Sequence, residues 1–283
     1  MIANLKDILP KARKGGYAAP AFNVYNIESA QAAIAAAVEL KSPVILQTSE
    51  KALDYAGVLP LYSALMGLVK AVQIPVVLHL DHGRSVEVAK KCIDAGWSSV
   101  MIDVSTKPFK ENVFETRQVV EYAKRKGGVS VEGELGPIPG QEDYISRVAS
   151  YLTDPEHARI FVEQTGIDAF AGSVGLAHGV KIKKEKLNLE LLAKIAALVA
   201  VPLVLHGASE GVTDKEIKKA ISLGVAKINI DTHLRLAWNT AVRKFLDKNQ
   251  QVYDPREILS VGRGAMKKCA IEKIKLFGSS NKA

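Results

Sequence analysis

The stretch Ile74-Pro75-Val76-Val77-Leu78-His79-Leu80-Asp81-His82-Gly83 decides how the chain is interpreted. It begins as an apolar, β-branched run after a proline, which is typical of a buried strand. It ends in titratable residues, which are costly to bury unless they bind something. In a (β/α)8 barrel, catalytic groups lie at the carboxyl ends of the strands. The stretch therefore predicts a functional strand end, and we expect matching groups at the ends of other strands.

Strand-like segments recur along the chain, and a segment with helical apolar spacing follows each of them. Such alternation indicates parallel βαβ units, and eight units in 283 residues favour a closed barrel over an open doubly wound sheet. We predict an α/β fold, a single (β/α)8 TIM barrel over residues 1–283, with extra C-terminal helices at roughly 232–248 and 255–276. The predicted strands are residues 17–23, 43–48, 75–80, 99–104, 128–133, 168–173, 202–206 and 226–230.

The composition is typical of a soluble globular protein, with 48% apolar and 24% charged residues. No apolar run approaches the roughly 20 residues that span a bilayer, and the N-terminus lacks a signal-peptide pattern. Cys92 and Cys269 provide no disulfide framework, so we expect a cytoplasmic protein. The net charge of +8 comes from lysines mixed with acids in predicted helices, as on a solvated surface. We therefore expect neither nucleic acid nor a membrane as partner, although a positive potential would also attract an anionic substrate.

Polar residues lie at or just after the carboxyl ends of all eight predicted strands. In a closed barrel these ends meet at one mouth, so the side chains are expected to converge. Solubility does not explain the pattern, because the opposite strand ends show no comparable set. The residues concerned are Asn23, Ser49, Asp81, His82, Asp103, Glu132, Glu134, His178, His206, Asn229, Asp231 and Thr232.

Three of the strand-end residues are histidines, His82, His178 and His206, and each is followed directly by glycine. Three neutral imidazoles with an open fourth position are typical of a catalytic zinc site. Because no local HxxxH or CxxC pair is present, this interpretation depends on the barrel. Asp81, beside His82, is expected either to orient the imidazole or to act as a general acid or base. Further acids at the mouth would repel one another without a cation among them. These acids are Asp103, Glu132 and Glu134.

Two segments after the seventh and eighth strands are candidates for phosphate binding. They read His206-Gly207-Ala208-Ser209 and Asn229-Ile230-Asp231-Thr232. This is the usual phosphate region of the barrel, where backbone N–H groups and a helix N-terminus bind the anion. Simple helix capping is the alternative, and both interpretations stay open. The candidate capping residues are Ser209, Thr213, Asp231 and Thr232.

The Gly/Pro-rich segment of residues 136–143 follows the fifth strand and leads into a long run without clear helical spacing. A loop of this length after a barrel strand is more often a mobile lid than a passive connection. Glu142 would then be a proton-transfer group that enters the site on closure. The alternative is a solvated loop acid.

In combination and order, six motifs are highly specific, and together they cover nearly the whole chain. They are Ala21-Phe22-Asn23, Leu78-His79-Leu80-Asp81-His82-Gly83, Val131-Glu132-Gly133-Glu134-Leu135-Gly136, His178-Gly179, His206-Gly207-Ala208-Ser209 and Lys227-Ile228-Asn229-Ile230-Asp231-Thr232. The chain resembles the class II (zinc-dependent) ketose-bisphosphate aldolases, and within them the fructose-1,6-bisphosphate and tagatose-1,6-bisphosphate aldolase group.

The resemblance implies a role for each motif residue. The three histidines would bind the catalytic Zn2+, and Asp81 would be the acid/base at the aldehyde-side hydroxyl. Asp103 and Glu134 would match a second metal position, and Glu142 the lid acid that exchanges a proton with dihydroxyacetone phosphate. Arg256 would reach the far phosphate from a neighbouring subunit. The remaining predicted substrate contacts are Asn23, Ser49, Gly179, Lys181, Gly207, Ala208, Ser209, Asn229, Ile230, Asp231 and Thr232.

The resemblance also implies a monovalent cation (Na+ or K+) near the phosphate, and a homodimer or homotetramer with the C-terminal helices at the interface. The sequence departs from the family pattern at Glu210, which stands between Ser209 and Gly211, and at Gln141, where some members have a second glutamate.

The implied activity is reversible cleavage of fructose 1,6-bisphosphate to dihydroxyacetone phosphate and glyceraldehyde 3-phosphate through a zinc-stabilised enediolate. A tagatose-1,6-bisphosphate aldolase or a related ketose-phosphate aldolase would use the same mechanism. A Schiff-base aldolase would need a desolvated lysine, for which Lys227 and Lys181 are candidates. A zinc hydrolase would leave the phosphate segments unexplained. A non-catalytic basic binding protein would show salt-dependent affinity for nucleic acid and no bound zinc.

Overall fold

The computed structural model describes residues 1–138, 140–143, 145–147, 152–179, 186–209 and 211–283. For Gly140–Glu142 and Ile145–Arg147 it describes the backbone alone. Lys181 and Glu210, and the side chains of Gln141 and Glu142, therefore lie outside the described part of the chain.

Strands and helices alternate along the chain. The strands are β1 (Ile2–Ala3), β2 (Ala19–Asn23), β3 (Val44–Ser49), β4 (Val76–Gly83), β5 (Ser99–Ile102), β6 (Ser130–Leu135), β7 (Gly140–Glu142), β8 (Ile145–Arg147), β9 (Ala169–Gly172), β10 (Leu203–Leu205) and β11 (Val225–Ile230). The helices are α1 (Leu5–Gly15), α2 (Ile27–Glu39), α3 (Glu50–Ala56), α4 (Val58–Lys70), α5 (Val86–Ala95), α6 (Phe109–Arg125), α7 (Pro155–Thr165), α8 (Leu189–Leu198), α9 (Asp214–Ser222), α10 (Thr232–Lys248) and α11 (Pro255–Leu276).

Eight parallel strands form a closed barrel in the order β2, β3, β4, β5, β6, β9, β10, β11, and β11 pairs with β2 to close the ring. Each corresponds to one of the eight strands predicted from the sequence, and α10 and α11 are the two predicted C-terminal helices. The predicted (β/α)8 barrel is therefore confirmed. Because all pairs are parallel, the carboxyl ends of the eight strands meet at one mouth.

The N-terminal segment closes the opposite end of the barrel, which the sequence interpretation missed. β1 pairs in parallel with the start of β4, and α1 follows after an Asn4–Asp7 capping box. The apolar face of α1, which includes Leu5 and Leu9, packs on the side chains that fill the barrel interior. Burying each of these leucines contributes about 1.5–3 kcal/mol. The amino-terminal end of the barrel is therefore a packed core.

The segment predicted as a lid contributes β7 to a two-stranded antiparallel hairpin, β7–β8, which the sequence interpretation also missed. Its turn includes Asp143, whose φ of 49° is in the left-handed region. Among the described residues, no single helix is long and apolar enough to cross a bilayer. α3 and α4 satisfy that criterion only together, and they meet at an angle of 97°.

Candidate metal centre and active site

His82 lies in β4 near its carboxyl end, in a strained backbone conformation with φ of 48°. A left-handed conformation costs a non-glycine residue roughly 1–2 kcal/mol. The next residue must be glycine, because a Cβ on Gly83 would lie 2.7 Å from both the Met101 carbonyl oxygen and a Leu80 methyl carbon. The β4–β5 register shifts at the same place. The backbone is therefore strained at His82, the residue whose imidazole joins the cluster.

His178 and His206 are carried by loops that touch each other. Gly207 has φ of 68°, and a Cβ on it would lie 2.6 Å from the carbonyl oxygen of Ala177. Only glycine combines this backbone conformation with so close an approach. The sequence pattern His-Gly thus has a steric reason after β10, because Gly207 lets the loop with His206 pack on the loop with His178.

The three imidazoles are buried and form a compact cluster. Their ring centroids are 4.6 Å (His82–His206), 4.9 Å (His82–His178) and 5.8 Å (His178–His206) apart. One nitrogen from each ring lies within 4.8 Å of the others, and His206 Nδ1 is 2.9 Å from His82 Nε2. Zinc–nitrogen distances of about 2.0–2.1 Å place ligands about 3.3 Å apart in a tetrahedron. Small side-chain adjustments would therefore allow all three nitrogens to bind one ion.

Carboxylates fix which nitrogen of two of these rings faces the cluster. His82 Nδ1 is 2.7 Å from Asp103 Oδ2, which leaves Nε2 facing the other rings. His206 Nε2 is 2.9 Å from Glu132 Oε1, which leaves Nδ1 facing them. A carboxylate partner on the far nitrogen is the usual support of a metal-bound histidine.

The pKa directions also suit a cation. Burial lowers the pKa of His178 to about 4 and that of His206 well below its ordinary value, so both are neutral, as ligands must be. Burial also lowers the pKa of His82, but Asp81 and Asp103 outweigh it and raise the pKa to about 10. The carboxylates therefore stabilise positive charge at this point, and the residues fit a zinc ion.

A second group of possible ligands shares His82. His82, Asp103 and Glu134 also offer three ligand atoms within 4.8 Å of one another. Ser105 Oγ lies 2.7 Å from Asp103 Oδ1 and 2.9 Å from Glu134 Oε1 and holds the two acids together. The structure thus brings all five predicted metal residues to one place.

Asp81 is buried beside the histidines and accepts hydrogen bonds from amides on three other strands. The donors are Asn23 (2.8 Å to Oδ2), Gln47 (3.2 Å to Oδ2) and Asn229 (3.2 Å to Oδ1). Burial raises the pKa of Asp81, but nearby charges, first that of His82, and the hydrogen bond from Asn23 outweigh it and lower the pKa. Gln47 was not predicted. Its signal was a polar residue inside the apolar run of β3, two positions before Ser49.

The candidate phosphate segments meet between β10 and α10. The Asp231 N–H donates to Ser209 Oγ (3.1 Å), and the Asp231 carboxylate accepts from Arg235 Nε (2.6 Å). Thr213 is the N-cap of α9, in a capping box with Glu216, so the capping interpretation holds there. Asp231 occupies the N-cap position of α10 without a side-chain capping bond. The remaining predicted contacts in these loops are Gly179, Ala208, Ile230 and Thr232, and the last three of them are buried.

The turn of the β7–β8 hairpin is fastened at the mouth. Asp143 accepts a short hydrogen bond from Ser49 Oγ and forms an ion pair with Arg235 (2.9 Å). A cavity of about 460 Å³ lies there, lined by these residues together with Tyr25 and Lys51 among others.

Arg256 lies apart from the histidine cluster, and Lys227 does not suit the Schiff-base role for which it was a candidate. Arg256 begins α11, is exposed, and forms an ion pair with Asp254 in its own turn (2.8 Å). No contact among the described residues ties it to the histidines. Lys227 is fully buried and lies 2.9 Å from Glu132. Its amine is therefore ion-paired, which does not favour a Schiff-base role.

A closed (β/α)8 barrel with three convergent histidines at its mouth is the architecture of a metal-dependent barrel enzyme, and comparisons identify the family. A family model described as "Fructose-bisphosphate aldolase class-II" matches residues 3–282. The chain belongs to this family, which is zinc-dependent, and the protein is an aldolase, a lyase. The resemblance seen in the motifs is thus confirmed.

Relatives that match over their full length have names that agree with this family. The chain is 46% identical over 288 residues to a fructose-bisphosphate aldolase of Geobacillus stearothermophilus, covering 100% of this chain and 99% of the relative. It is 43% identical over 307 residues to one of Thermus caldophilus, with both chains fully covered. Among solved structures, the YdjI aldolase of Escherichia coli K12 matches with a TM-score of 0.89, 38% identity and full coverage of both chains.

Proposed function

We propose that this protein reversibly cleaves fructose 1,6-bisphosphate to dihydroxyacetone phosphate and glyceraldehyde 3-phosphate with zinc. The observation that carries the proposal is the buried cluster of three imidazoles beside Asp81, a buried carboxylate that three amides hold in place. The names of the full-length relatives support the choice of substrate.

His82, His178 and His206 would hold the ion, and Asp103 and Glu134 would provide a second position for it. Bound zinc acts as a Lewis acid that polarises the substrate carbonyl. The protein's part is to present three imidazole nitrogens, from β4 and from the loops after β9 and β10, in a buried site.

Asp81 is the proposed base that takes the proton from the C4 hydroxyl as the C3–C4 bond breaks. Three amide donors hold its carboxylate in place. The Asn229 amide is the proposed donor to the substrate oxygen on which negative charge develops. Glu142 is the proposed group that protonates the product carbon. In the condensation direction these proton transfers run in reverse.

The phosphate of the dihydroxyacetone half would bind at the loops after β9, β10 and β11 and at the N-terminus of α10. A Na+ or K+ ion beside it belongs to the same proposal, as does contact of the far phosphate with Arg256 of a neighbouring subunit in a homodimer or homotetramer. The remaining proposed contacts are Asn23, Ser49, Gly179, Lys181, Gly207, Ala208, Ser209, Ile230, Asp231 and Thr232. We further propose that residues 1–283 form one domain that works in the cytoplasm without nucleic acid or a membrane.

The test is an aldol-cleavage assay on fructose 1,6-bisphosphate and, in parallel, tagatose 1,6-bisphosphate. Each is assayed before and after removal of metal with EDTA, and again after zinc is added. Activity lost with the metal and restored by zinc is expected, with fructose 1,6-bisphosphate the better substrate. Activity that survives complete zinc removal, or that borohydride with substrate abolishes, would refute the metal mechanism. A preference for the tagatose isomer would refute only the substrate assignment.

A further inference from the structure

Lys227 lies in β11 inside the barrel and is fully buried, yet the proposed reaction gives it no role. A buried ammonium is costly unless it is paired and hydrogen-bonded. Its partner is Glu132 on β6, which is also fully buried, with Nζ 2.9 Å from Oε2. Two buried charges that meet across a barrel core need an explanation beyond packing.

The other oxygen of Glu132 leads directly to the histidine cluster. Oε1 lies 2.9 Å from His206 Nε2, and a carboxylate only accepts hydrogen bonds. His206 therefore carries its proton on Nε2, and the lone pair on Nδ1 faces His82 Nε2 at 2.9 Å. Glu132 thus selects the tautomer that can bind a metal.

On its other side, Lys227 is held by a second hydrogen-bonding pair. Nζ lies 3.5 Å from His79 Nε2, and His79 Nδ1 lies 2.7 Å from Ser99 Oγ on the neighbouring strand. Burial, together with Lys227, lowers the pKa of His79 well below its ordinary value, so the ring is neutral and accepts at Nε2. Residues of β4 and β5 therefore hold the ammonium of Lys227, on β11, in place beside Glu132, on β6.

We propose that Lys227 is a positioning residue that acts through Glu132 to fix the tautomer and orientation of His206 for zinc binding. The inference rests on the proposed zinc site. The ammonium occupies one carboxylate oxygen, so the other must face the imidazole. Without the ammonium, the carboxylate would have one charged partner fewer and would turn away or admit water. Such partners of metal-bound histidines typically change metal affinity about 10–100-fold.

Exchange of the carboxylate for an amide gives a sharp test of this orientation. In Glu132→Gln, the ammonium of Lys227 can pair only with the amide oxygen, which turns the NH2 group toward His206 Nε2. The imidazole proton must then move to Nδ1, where it blocks the metal. In the double variant Glu132→Gln/Lys227→Met, nothing orients the amide, so both tautomers are expected and zinc binding should partly recover. A purely structural role would restore stability when the unpaired ammonium is removed, but it predicts no change of the His206 tautomer in any variant.

The experiment measures two quantities on folded protein: zinc affinity, by competition of zinc ion alone with a chelating dye, and the His206 tautomer, by ¹⁵N NMR of metal-free protein. Lys227→Met should bind zinc about 10–100-fold more weakly than wild type, and Glu132→Gln more weakly than the double variant. Lys6→Met is the matched control, because Lys6 pairs with Asp168 at the other end of the barrel, and it should match wild type.

The outcomes separate this inference from the proposed function. Wild-type zinc affinity and an unchanged tautomer in Lys227→Met would overturn the positioning role, as would a double variant no better than Glu132→Gln. If a single variant leaves an unpaired charge that prevents folding, the uncharged double variant must still show mixed tautomers and weaker zinc binding, and a wild-type result there overturns the inference. Wild-type protein that binds no zinc would refute the proposed function itself. Loss of activity in Lys227→Met with normal zinc affinity would indicate a catalytic lysine and overturn both.

Discussion

Replacement of Asp81 by asparagine tests the proposed proton transfer with the smallest change of shape. The side chain keeps its size but loses its charge and its ability to take a proton. General acid–base catalysis typically contributes about 10²–10⁴-fold. We therefore expect kcat to fall by that factor, which equals about 2.7–5.4 kcal/mol of barrier at 1.36 kcal/mol per tenfold.

The same substitution has a separate effect on stability that follows from the hydrogen bonds. Two donors, Asn23 and Gln47, converge on Oδ2, and one donor, Asn229, faces Oδ1. The new amide oxygen is expected to face the two donors, which leaves its NH2 group against the donor Asn229. One hydrogen bond is lost and a buried donor is unsatisfied, at a cost of about 1–3 kcal/mol.

The measurements are kcat, zinc content and the free energy of unfolding in urea. We expect severely reduced turnover, zinc bound as in wild type, and a modest loss of stability. Asp94→Asn is the control, because Asp94 is an exposed acid that also accepts hydrogen bonds, from Tyr122, and it should leave turnover and zinc content unchanged. Turnover within tenfold of wild type, with zinc retained, would refute Asp81 as the base.

Three further predictions follow from local geometry. Gly207→Ala should lower zinc content because its Cβ would collide with the Ala177 carbonyl oxygen. Gly16→Ala is the control, because Gly16 has a similar φ of 65° but open space around it, and equal zinc content in the two variants would contradict the steric argument. Asp143→Asn removes a partly buried ion pair worth about 0–1 kcal/mol, so proteolysis in residues 140–147 should accelerate by up to about fivefold, and an unchanged rate would show that the pair does not fasten the hairpin. Burial raises the pKa of Cys92 to about 12, above its ordinary value of 9.0, so the free energy of unfolding should fall as the pH rises from 9 toward 12, where only the unfolded thiol ionises. In urea unfolding, Cys92→Ala should show a smaller fall over this pH range, and a pH profile identical to that of wild type would contradict the prediction.

The sequence predicted the barrel because strand-like apolar segments and helical patterns alternate eight times along the chain. Residues 43–48 and 226–230 were predicted as strands, and the structure has Val44–Ser49 and Val225–Ile230. β1 has only two residues, so it has no periodicity to detect and exists through its pairing with β4. The hairpin β7–β8 was hidden in a Gly/Pro-rich segment, where short strands and loops have similar compositions.

The candidate site was predicted as residue types at strand ends, but its contacts were not. Parallel strands bring their carboxyl ends together whatever their separation along the chain, so the convergence of His82 and His206 followed from the fold alone. Which polar residue touches which depends on barrel register, which the sequence does not encode locally. Gln47 was overlooked for this reason, since its contact with Asp81 requires β3 and β4 to pair with Gln47 opposite His79.

The charged partner of Lys227, which only the structure reveals, decides between two mechanisms that the sequence left open. As a lysine in a barrel strand, it was a candidate for Schiff-base chemistry until the structure placed Glu132 against it. Without a metal, the Lys227 ammonium and a protonated His82 lie among four buried carboxylates, those of Asp81, Asp103, Glu132 and Glu134. Because uncompensated buried charges are strongly destabilising, this mouth requires further positive charge, and a divalent ion at the three imidazoles supplies it. The lysine that was a candidate for the competing mechanism therefore neutralises Glu132, the carboxylate that supports His206, and it leaves the other three carboxylates to the cation.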